Sequence, residues 1–159
     1  MKRLRFKTGF IDAVDSAILR TLAEDARVTM ADLARAVGLS APSVTERVHR
    51  LEETGVIRGY GARIDPAALG LPLAVYIRIR PIPGQLQKTI EVLQSLKAVV
   101  ECDRVTGEDC FIARACVRSV EELETVIDQL IPYAMTNTSV IQSSPVKRRL
   151  PPLPASASV

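Results

Sequence analysis

The stretch that decides the fold is Leu33–Tyr60, which reads LARAVGLSAPSVTERVHRLEETGVIRGY. Gly38 ends one short helical pattern, and Ser40 is a good N-cap for a second helix that tolerates Pro42 in its first turn. Apolar residues of this second helix repeat at the spacing of one helix face, at Val44, Val48 and Leu51. Two helices joined by a short turn that contains glycine are typical of a helix-turn-helix.

The flanking residues extend this unit in both directions. Upstream, the pattern from Asp12 predicts a first helix in which Asp15 is favourable in the first turn, and Thr29 with Asp32 forms a capping-box-like start to the short helix. The inward stripe of the first helix consists of Val14, Ile18, Leu19 and Leu22. Downstream, Val56–Ile64 predicts an extended ribbon with glycine bends.

The second half alternates strand and helix patterns. The predicted elements are a strand at Leu73–Arg80, a helix at Gln85–Leu96, strands at Val99–Thr106 and Cys110–Val117, a helix that follows Ser119, and a strand at Asn137–Gln142. In the second of these helices, Glu122 completes a capping box, and the predicted inner face is Leu123, Ile127 and Leu130 or Ile131. The order β-α-β-β-α-β is that of a ferredoxin-like split βαβ unit.

The chain therefore predicts an α+β protein with a helix-turn-helix followed by a βαββαβ domain. The predicted segments are a flexible basic arm at 1–11, the helix-turn-helix domain with its ribbon at 12–64, a linker at 65–71, the βαββαβ domain at 72–150, and a disordered Pro- and Ala-rich tail at 151–159.

Composition excludes several classes of protein. A hydrophobic content of 47% and a charged content of 25% are typical of a globular chain. No apolar run approaches the roughly 20 residues of a membrane helix, and the N-terminus lacks the apolar core of a secretory signal, which predicts a cytoplasmic protein with no membrane partner. The net charge of +3 is only weak support for a polyanionic partner.

The residues that bind metals are scarce and badly spaced. The chain has three cysteines without a C-x-x-C motif, and His49 is its only histidine, so we predict no metal and no cofactor. We expect the cysteines to be buried reduced thiols in strands. We interpret His49 as a surface or phosphate-side residue and not as a pH sensor.

The start of the predicted third helix is suited to DNA. An α-helix fits the major groove, and the N-terminal residues of a recognition helix reach base edges. The small or hydroxylated candidates at this end are Ser40, Ala41, Pro42, Ser43 and Thr45. Arg47 can reach a base edge or a phosphate, Arg50 a phosphate, and Arg27 and Arg58 can clamp the backbone. The alternative is an ordinary exposed polar helix face.

Two stretches resemble one family of bacterial and archaeal regulators. The run LARAVGLSAPSVTERVHRLEETGVIRGYGARIDPAALG and the later VVECDRVTGEDCFIARACV resemble the Lrp/AsnC, or feast/famine, proteins. The resemblance implies a winged helix-turn-helix whose Ile57–Ile64 ribbon pairs with that of a second chain. It also implies βαββαβ domains that dimerise through their sheets, dimers that assemble further, often into octamers, and an amino-acid effector bound between dimers.

The resemblance also implies where an effector binds. The two segments concerned are the turn Thr106, Gly107, Glu108 and Asp109 and the stretch Thr136, Asn137, Thr138 and Ser139. A glycine turn exposes backbone N–H groups that can hold a carboxylate, and Glu108 or Asp109 can receive an α-ammonium group. The alternative is a plain hairpin with two solvated acids. Many family members have aspartate where this chain has Cys110, which puts effector specificity, or effector binding itself, in doubt.

These observations predict a sequence-specific DNA-binding transcriptional regulator whose oligomeric state or DNA affinity responds to a small effector, an amino acid. One alternative is a ligand-blind architectural regulator that bends or wraps DNA. Another, from a different class, is a small-molecule-binding enzyme of ferredoxin-like fold. One histidine, no metal cluster and no phosphate loop argue against the enzyme.

Overall fold

The computed structural model describes residues 11–153, and within it the chain forms two compact units. Among the described residues, the head unit contains 11–62 together with 146–153, and the sheet unit is Arg63–Pro145. The predicted basic arm lies outside the described residues apart from Ile11, and so do residues 154–159 of the predicted tail.

The head unit contains the three predicted helices. They are α1 (Ala13–Glu24), α2 (Met30–Val37) and α3 (Ala41–Glu53). The side chains of Asp12, Thr29 and Ser40 cap their N-termini, as the sequence predicts. Gly38 ends α2 in the left-handed conformation, with φ of 70°. The glycine turn therefore separates α2 from α3 by three residues, which is the helix-turn-helix arrangement.

One apolar core joins these helices. Each helix contributes a side chain with no solvent exposure: Ile18 from α1, Leu33 from α2 and Val44 from α3. The other buried members are Leu19, Leu22, Ala34, Val48 and Leu51. The predicted inward stripes of α1 and α3 are thereby confirmed. Burying such side chains supplies the main driving force that holds the three helices together.

The predicted ribbon is not a strand in this single chain. Val56–Ile64 forms no ladder hydrogen bonds, and Gly59 within it has φ of 151°. A β-strand exists only with a hydrogen-bonded neighbour, and the described part of this chain supplies none at this position. The side chains of Val56, Tyr60 and Ile64 are exposed along the segment.

The sheet unit has the predicted βαββαβ order. Its elements are β1 (Leu73–Pro81), α4 (Leu86–Ser95), β2 (Val99–Arg104), β3 (Phe111–Val117), α5 (Val120–Leu130) and β4 (Ala134–Val140). The strands form one sheet in the order β2-β3-β1-β4, in which every neighbouring pair is antiparallel. This is the topology of the ferredoxin-like unit, so the predicted α+β fold class is confirmed.

Two faces of the sheet differ in character because side chains alternate along each strand. On β1, Val75, Ile77 and Ile79 are fully buried in the core that includes α4 and α5 side chains. The opposite residues of β1, which are Tyr76, Arg78 and Arg80, are exposed. We call the side of the sheet that carries these three residues the open face.

The structure corrects details of the last two predicted elements. On α5, Val126 and Leu130 are the buried residues, whereas Ile131 follows the helix and is 58% exposed. Glu122 completes no capping box with Ser119, because its carboxylate accepts a hydrogen bond from the backbone N–H of Arg118 instead. β4 begins three residues before the predicted start, because pairing with β1 extends the strand beyond its β-branched core.

The cysteines and the C-terminal segment also depart from expectation. Cys116 is buried and Cys110 is partly buried, but Cys102 is exposed because β2 is an edge strand. Burial of part of its surface still raises the pKa of the Cys102 thiol.

Leu153, which was predicted to lie in a disordered tail, packs against the head core. Among the described residues, no helix is long and apolar enough to cross a membrane.

Candidate nucleic-acid interface and effector site

The N-terminal end of α3 is open to solvent. All five small candidates there are exposed: Ser40, Ala41, Pro42, Ser43 and Thr45. The hydroxyls of Ser40 and Ser43 are 2.9 Å apart, and Thr45 donates to the carbonyl of Ala41 at 2.8 Å. These local bonds can be exchanged for bonds to a base or a phosphate, and the free backbone N–H groups of a helix start favour an anion.

The arginines of α3 have partners that the sequence analysis missed. Arg47 Nη1 donates to Asp12 Oδ2 at 2.7 Å and to Asp15 Oδ1 at 2.8 Å. Arg50 Nη2 donates to Asp15 Oδ2 at 2.7 Å. Both arginines therefore bind carboxylates of α1 in the same unit. The DNA contacts that the sequence predicts for either arginine would have to compete with these ion pairs.

The network shifts two ionisation equilibria. The pKa of Asp12 is lowered, first because the backbone N–H of Asp15 donates to it and further because Arg47 lies beside it. The pKa of Arg47 is raised, because its guanidinium group donates to both carboxylates. Each group is thus held more firmly in its charged form.

The other two arginines that are predicted to contact DNA have side chains exposed to solvent. Arg27 and Arg58 are exposed, and within residues 11–153 neither side chain forms a salt bridge.

His49 is exposed on α3, where its Nδ1 lies 3.4 Å from Glu53 Oε1. Tyr60 donates to Glu52 at 2.8 Å, and loss of hydration together with this acceptor raises the pKa of Tyr60 to about 12.

The predicted effector turn connects β2 to β3 in the sheet unit. Gly107 has φ of 116°, a conformation that side chains rarely adopt, so glycine is required at this bend. Arg80 Nη2 lies 2.5 Å from Glu108 Oε2, and Arg80 Nε lies 3.9 Å from Asp109 Oδ1. Both predicted ammonium acceptors therefore face a guanidinium group of β1.

A second arginine of β1 binds the other predicted effector segment. Arg78 Nη2 donates to Asn137 Oδ1 at 2.8 Å across the β1–β4 pair. Thr136 and Thr138 pair with Ile79 and Ile77, so they lie on the face opposite to Asn137. Of the β4 candidates, Asn137 and Ser139 share the open face with the arginines, because they pair with Arg78 and Tyr76.

Sequence reasoning missed both arginines of β1. Their signal is the alternation Tyr76-Ile77-Arg78-Ile79-Arg80, which places cations on one face of a strand whose other face is apolar. Residues 11–153 contain no group of three side chains that suits a metal ion.

Two family models match successive parts of the chain. The family model of the AsnC-type helix-turn-helix domain matches residues 11–52, and that of the Lrp/AsnC ligand binding domain matches residues 74–151. The chain is 35% identical over 133 residues to the HTH-type transcriptional regulator LrpC of Bacillus subtilis. The aligned region covers 84% of this chain and 92% of that protein.

The chain belongs to the Lrp/AsnC family. It is also 36% identical over 129 residues to the HTH-type transcriptional regulator LrpA of Mycobacterium tuberculosis, covering 80% of this chain and 86% of that protein. As a member of the Lrp/AsnC family with an intact helix-turn-helix, the chain is a DNA-binding transcriptional regulator.

Solved structures of Lrp/AsnC proteins share the fold. The structure of LrpC from B. subtilis has a TM-score of 0.83 at 33% identity, over 87% of this chain and 99% of that chain. The feast or famine regulatory protein of M. tuberculosis, solved in complex with L-methionine, has a TM-score of 0.81 at 33% identity, over 89% of this chain and 98% of that chain.

Proposed function

We propose that an amino acid binds the open face of the sheet unit and thereby changes the assembly or the DNA affinity of this regulator. The observation that carries the proposal is the pair of contacts that the two arginines of β1 make. Arg78 and Arg80 reach Asn137 and Glu108 respectively, and thus connect the two segments that family resemblance assigns to the effector. A related M. tuberculosis protein binds L-methionine, which supports an effector of this class.

The charges at this place are complementary to a zwitterion. A guanidinium group binds a carboxylate through two parallel hydrogen bonds, so Arg78 or Arg80 is suited to the α-carboxylate of an amino acid. Glu108 and Asp109 are suited to the α-ammonium group. These acids interact with Arg80. The two charged groups of an amino acid would replace these ion pairs within the protein, and its side chain would decide specificity.

A thermal-shift screen of the twenty amino acids tests the effector proposal. A ligand that binds only the folded state raises the melting temperature, by an amount that grows with its concentration. We expect one or a few amino acids to do so, and we expect Arg80→Gln to abolish the shift. Lys88→Gln is the matched control, because it removes one exposed cation of α4 and leaves β1 intact.

A flat screen with the wild-type chain would contradict the effector proposal and favour the ligand-blind architectural regulator. A positive screen that is unchanged by Arg80→Gln would place the effector elsewhere. Neither outcome bears on DNA binding, because the head unit carries that function.

For DNA, we propose that the N-terminal end of α3 enters the major groove. The small residues from Ser40 to Thr45 allow close approach, and hydroxyls or methyl groups can meet base edges. Arg27 and Arg58 are proposed to contact the phosphate backbone on either side, since both are exposed and unpaired within residues 11–153. Phosphate contacts of this kind fix the register of the helix without reading sequence.

We further propose a homodimer that assembles to a higher oligomer, of the size of an octamer. The open face carries exposed Tyr76 and Ile112, and Nε of Arg114 between them is buried without a hydrogen-bond partner. A second sheet laid on this face would cover the apolar groups and supply an acceptor. Analytical ultracentrifugation tests this: Tyr76→Asp should yield smaller species, and an unchanged mass would contradict the open face as the interface.

The remaining proposals concern chemistry and location. We propose that the protein catalyses no reaction, because the relatives that it matches are transcriptional regulators. We propose that it acts in the cytoplasm, where the DNA of bacteria and archaea lies. An assay of the purified protein for turnover of any amino acid that binds it would test the first of these.

A further inference from the structure

In the head unit, one carboxylate binds two arginines of the recognition helix at once. Asp15 Oδ1 accepts from Arg47 at 2.8 Å, and Asp15 Oδ2 accepts from Arg50 at 2.7 Å. Asp12 Oδ2 takes a second bond from Arg47 at 2.7 Å. The arginines lie three residues apart on α3, so they occupy neighbouring positions on one face, and a single carboxylate can bridge them.

Burial makes Asp15 different from the surface pairs of this chain. Its side chain is 1% exposed, whereas that of Asp12 is 47% exposed. A buried carboxylate stays charged only when it is paired and hydrogen-bonded, and Asp15 meets both conditions through the two arginines and the backbone N–H of Asp12. Interactions in such a position are screened by salt much less than surface pairs.

The consequence for DNA concerns what α3 presents to a phosphate. An arginine that contacts phosphate binds any DNA backbone, because phosphate contacts carry no sequence information. Asp15 neutralises part of the charge of Arg47 and Arg50 and fixes where their guanidinium groups lie. The exposed N-terminal end of α3, which has no such cations, is then left as the part that discriminates between sequences.

We infer that Asp15 is a positioning residue that determines specificity. It holds Arg47 and Arg50 against α1, so that α3 keeps one orientation and these arginines do not bind phosphate indiscriminately. The inference rests on the proposed entry of α3 into the major groove. It assigns a role in DNA recognition to a side chain that has almost no exposed surface of its own.

The test uses the full chain with Asp15→Asn, which keeps the size of the side chain and removes its charge. Binding to a selected operator duplex and to a random duplex is measured across a series of salt concentrations. We expect affinity for random DNA to rise, and the plot of log affinity against log salt to become steeper by about 0.9 for each arginine that gains a phosphate. We expect the preference for operator to fall by about tenfold or more, comparable to the loss caused by one mismatched base pair.

The matched control is Glu24→Gln, which makes the same change of charge on the same helix. Glu24 is exposed at the end of α1 and forms no ion pair among residues 11–153. It should leave both the salt slope and the operator preference close to those of the wild type. If Asp15→Asn and Glu24→Gln change random-DNA binding equally, the effect is one of overall charge and the inference fails.

Asp15→Asn can also disturb the fold, so a second variant keeps the inference testable. Arg50→Gln removes a side chain that is 54% exposed and leaves Asp15 paired with Arg47. If Asp15 sequesters Arg50, the salt slope of this variant equals that of the wild type. A slope that is shallower by about 0.9 would mean that Arg50 contacts a phosphate in the complex, which would overturn the inference.

Asp15→Asn could instead weaken binding to operator and to random DNA equally and leave the salt slope unchanged. That result would mean that Asp15 has only a structural role. Failure of the proposed DNA recognition by α3 is distinguishable from failure of the inference about Asp15. In that case the wild-type chain itself would show no preference for any operator.

Discussion

At the residue scale, Asp12 has two roles at the start of α1. It caps the helix through the backbone N–H of Asp15, and it accepts from Arg47. Its pKa is lowered below the ordinary 3.8, so the folded head binds fewer protons than the unfolded chain in this range. The stabilisation is therefore fully present above about pH 3.8 and is lost as the pH falls through the lower, folded pKa.

The direction of this pKa shift gives a prediction for Asp12→Asn. The variant should be less stable than the wild type at neutral pH, and the difference should shrink as the pH falls below 3.8. Thermal melting of the full chain at a series of pH values measures it. A difference that stays constant down to the lowest pH at which the chain folds would show that the charge of Asp12 contributes nothing.

Arg58 provides a second prediction at this scale. If it contacts a phosphate, Arg58→Gln should weaken operator and random DNA alike and should reduce the salt slope by about 0.9. Its control is Arg35→Gln, because Arg35 on α2 already forms a salt bridge with Asp32. An unchanged slope for Arg58→Gln would remove Arg58 from the interface.

Sequence reasoning reached the caps but not the ion pairs. The cap of α1 could be predicted because Asp12 and Asp15 are three residues apart, within one helical turn. The bond from Arg47 to Asp15 spans 32 residues of sequence, so its existence depends on how α3 packs on α1. Arg78 and Asn137 are 59 residues apart and meet only because β1 and β4 pair in one register.

At the scale of elements, the α2–α3 turn depends on one backbone conformation. Gly38 has φ of 70°, and an added Cβ would meet no atom within 4 Å, so only the backbone opposes a side chain there. Gly38→Ala should destabilise the head by about 1–2 kcal/mol, the cost of the left-handed conformation for an L-residue. Chemical denaturation followed by far-UV circular dichroism measures the loss.

Gly61→Ala is the matched control for this experiment. Gly61 also has open space around it, and its φ lies outside the left-handed region. The control should change stability by less than about 0.5 kcal/mol. Equal destabilisation by both substitutions would mean that the turn conformation is not what Gly38 contributes.

The ribbon shows the limit of prediction for elements. The sequence predicted an extended segment with glycine bends, and the described segment Val56–Ile64 is indeed free of helix. Whether such a segment becomes a strand depends on a hydrogen-bonding neighbour, which a single sequence does not reveal. The four strands of the sheet unit were predictable because their partners lie within the same domain.

At the scale of the whole molecule, the chain passes from the head unit to the sheet unit and then returns. The described segment 146–153 belongs to the head unit, where Leu153 packs against the core of α1, α2 and α3. The sheet unit is therefore connected to the head by the chain at both of its ends. Composition alone suggested a disordered tail, because Pro and Ala dominate 151–159 and the apolar Leu153 is a single residue.

The packing of Leu153 against the head core predicts that this side chain stabilises the head unit. Leu153→Ala should lower the stability of the head by about 1 kcal/mol, a modest value because the side chain is only partly buried. Hydrogen exchange of amides in α1 and α3 measures the effect. Leu69→Ala is the control, since Leu69 is 66% exposed in the sheet unit and should leave those amides unchanged. Equal protection in Leu153→Ala and the wild type would contradict the packing.

The central claim is that the head unit reads DNA sequence through α3, and selection of DNA from a random duplex pool by the full chain tests it most directly. We predict enrichment of a motif with two inverted half-sites, centred one helical turn of about 10 base pairs or a multiple of it apart, because a two-fold dimer presents two recognition helices. The selected duplex should bind at least a thousandfold more tightly than random DNA at physiological salt. A pool that stays unenriched after repeated rounds, while the protein remains folded, would contradict the account.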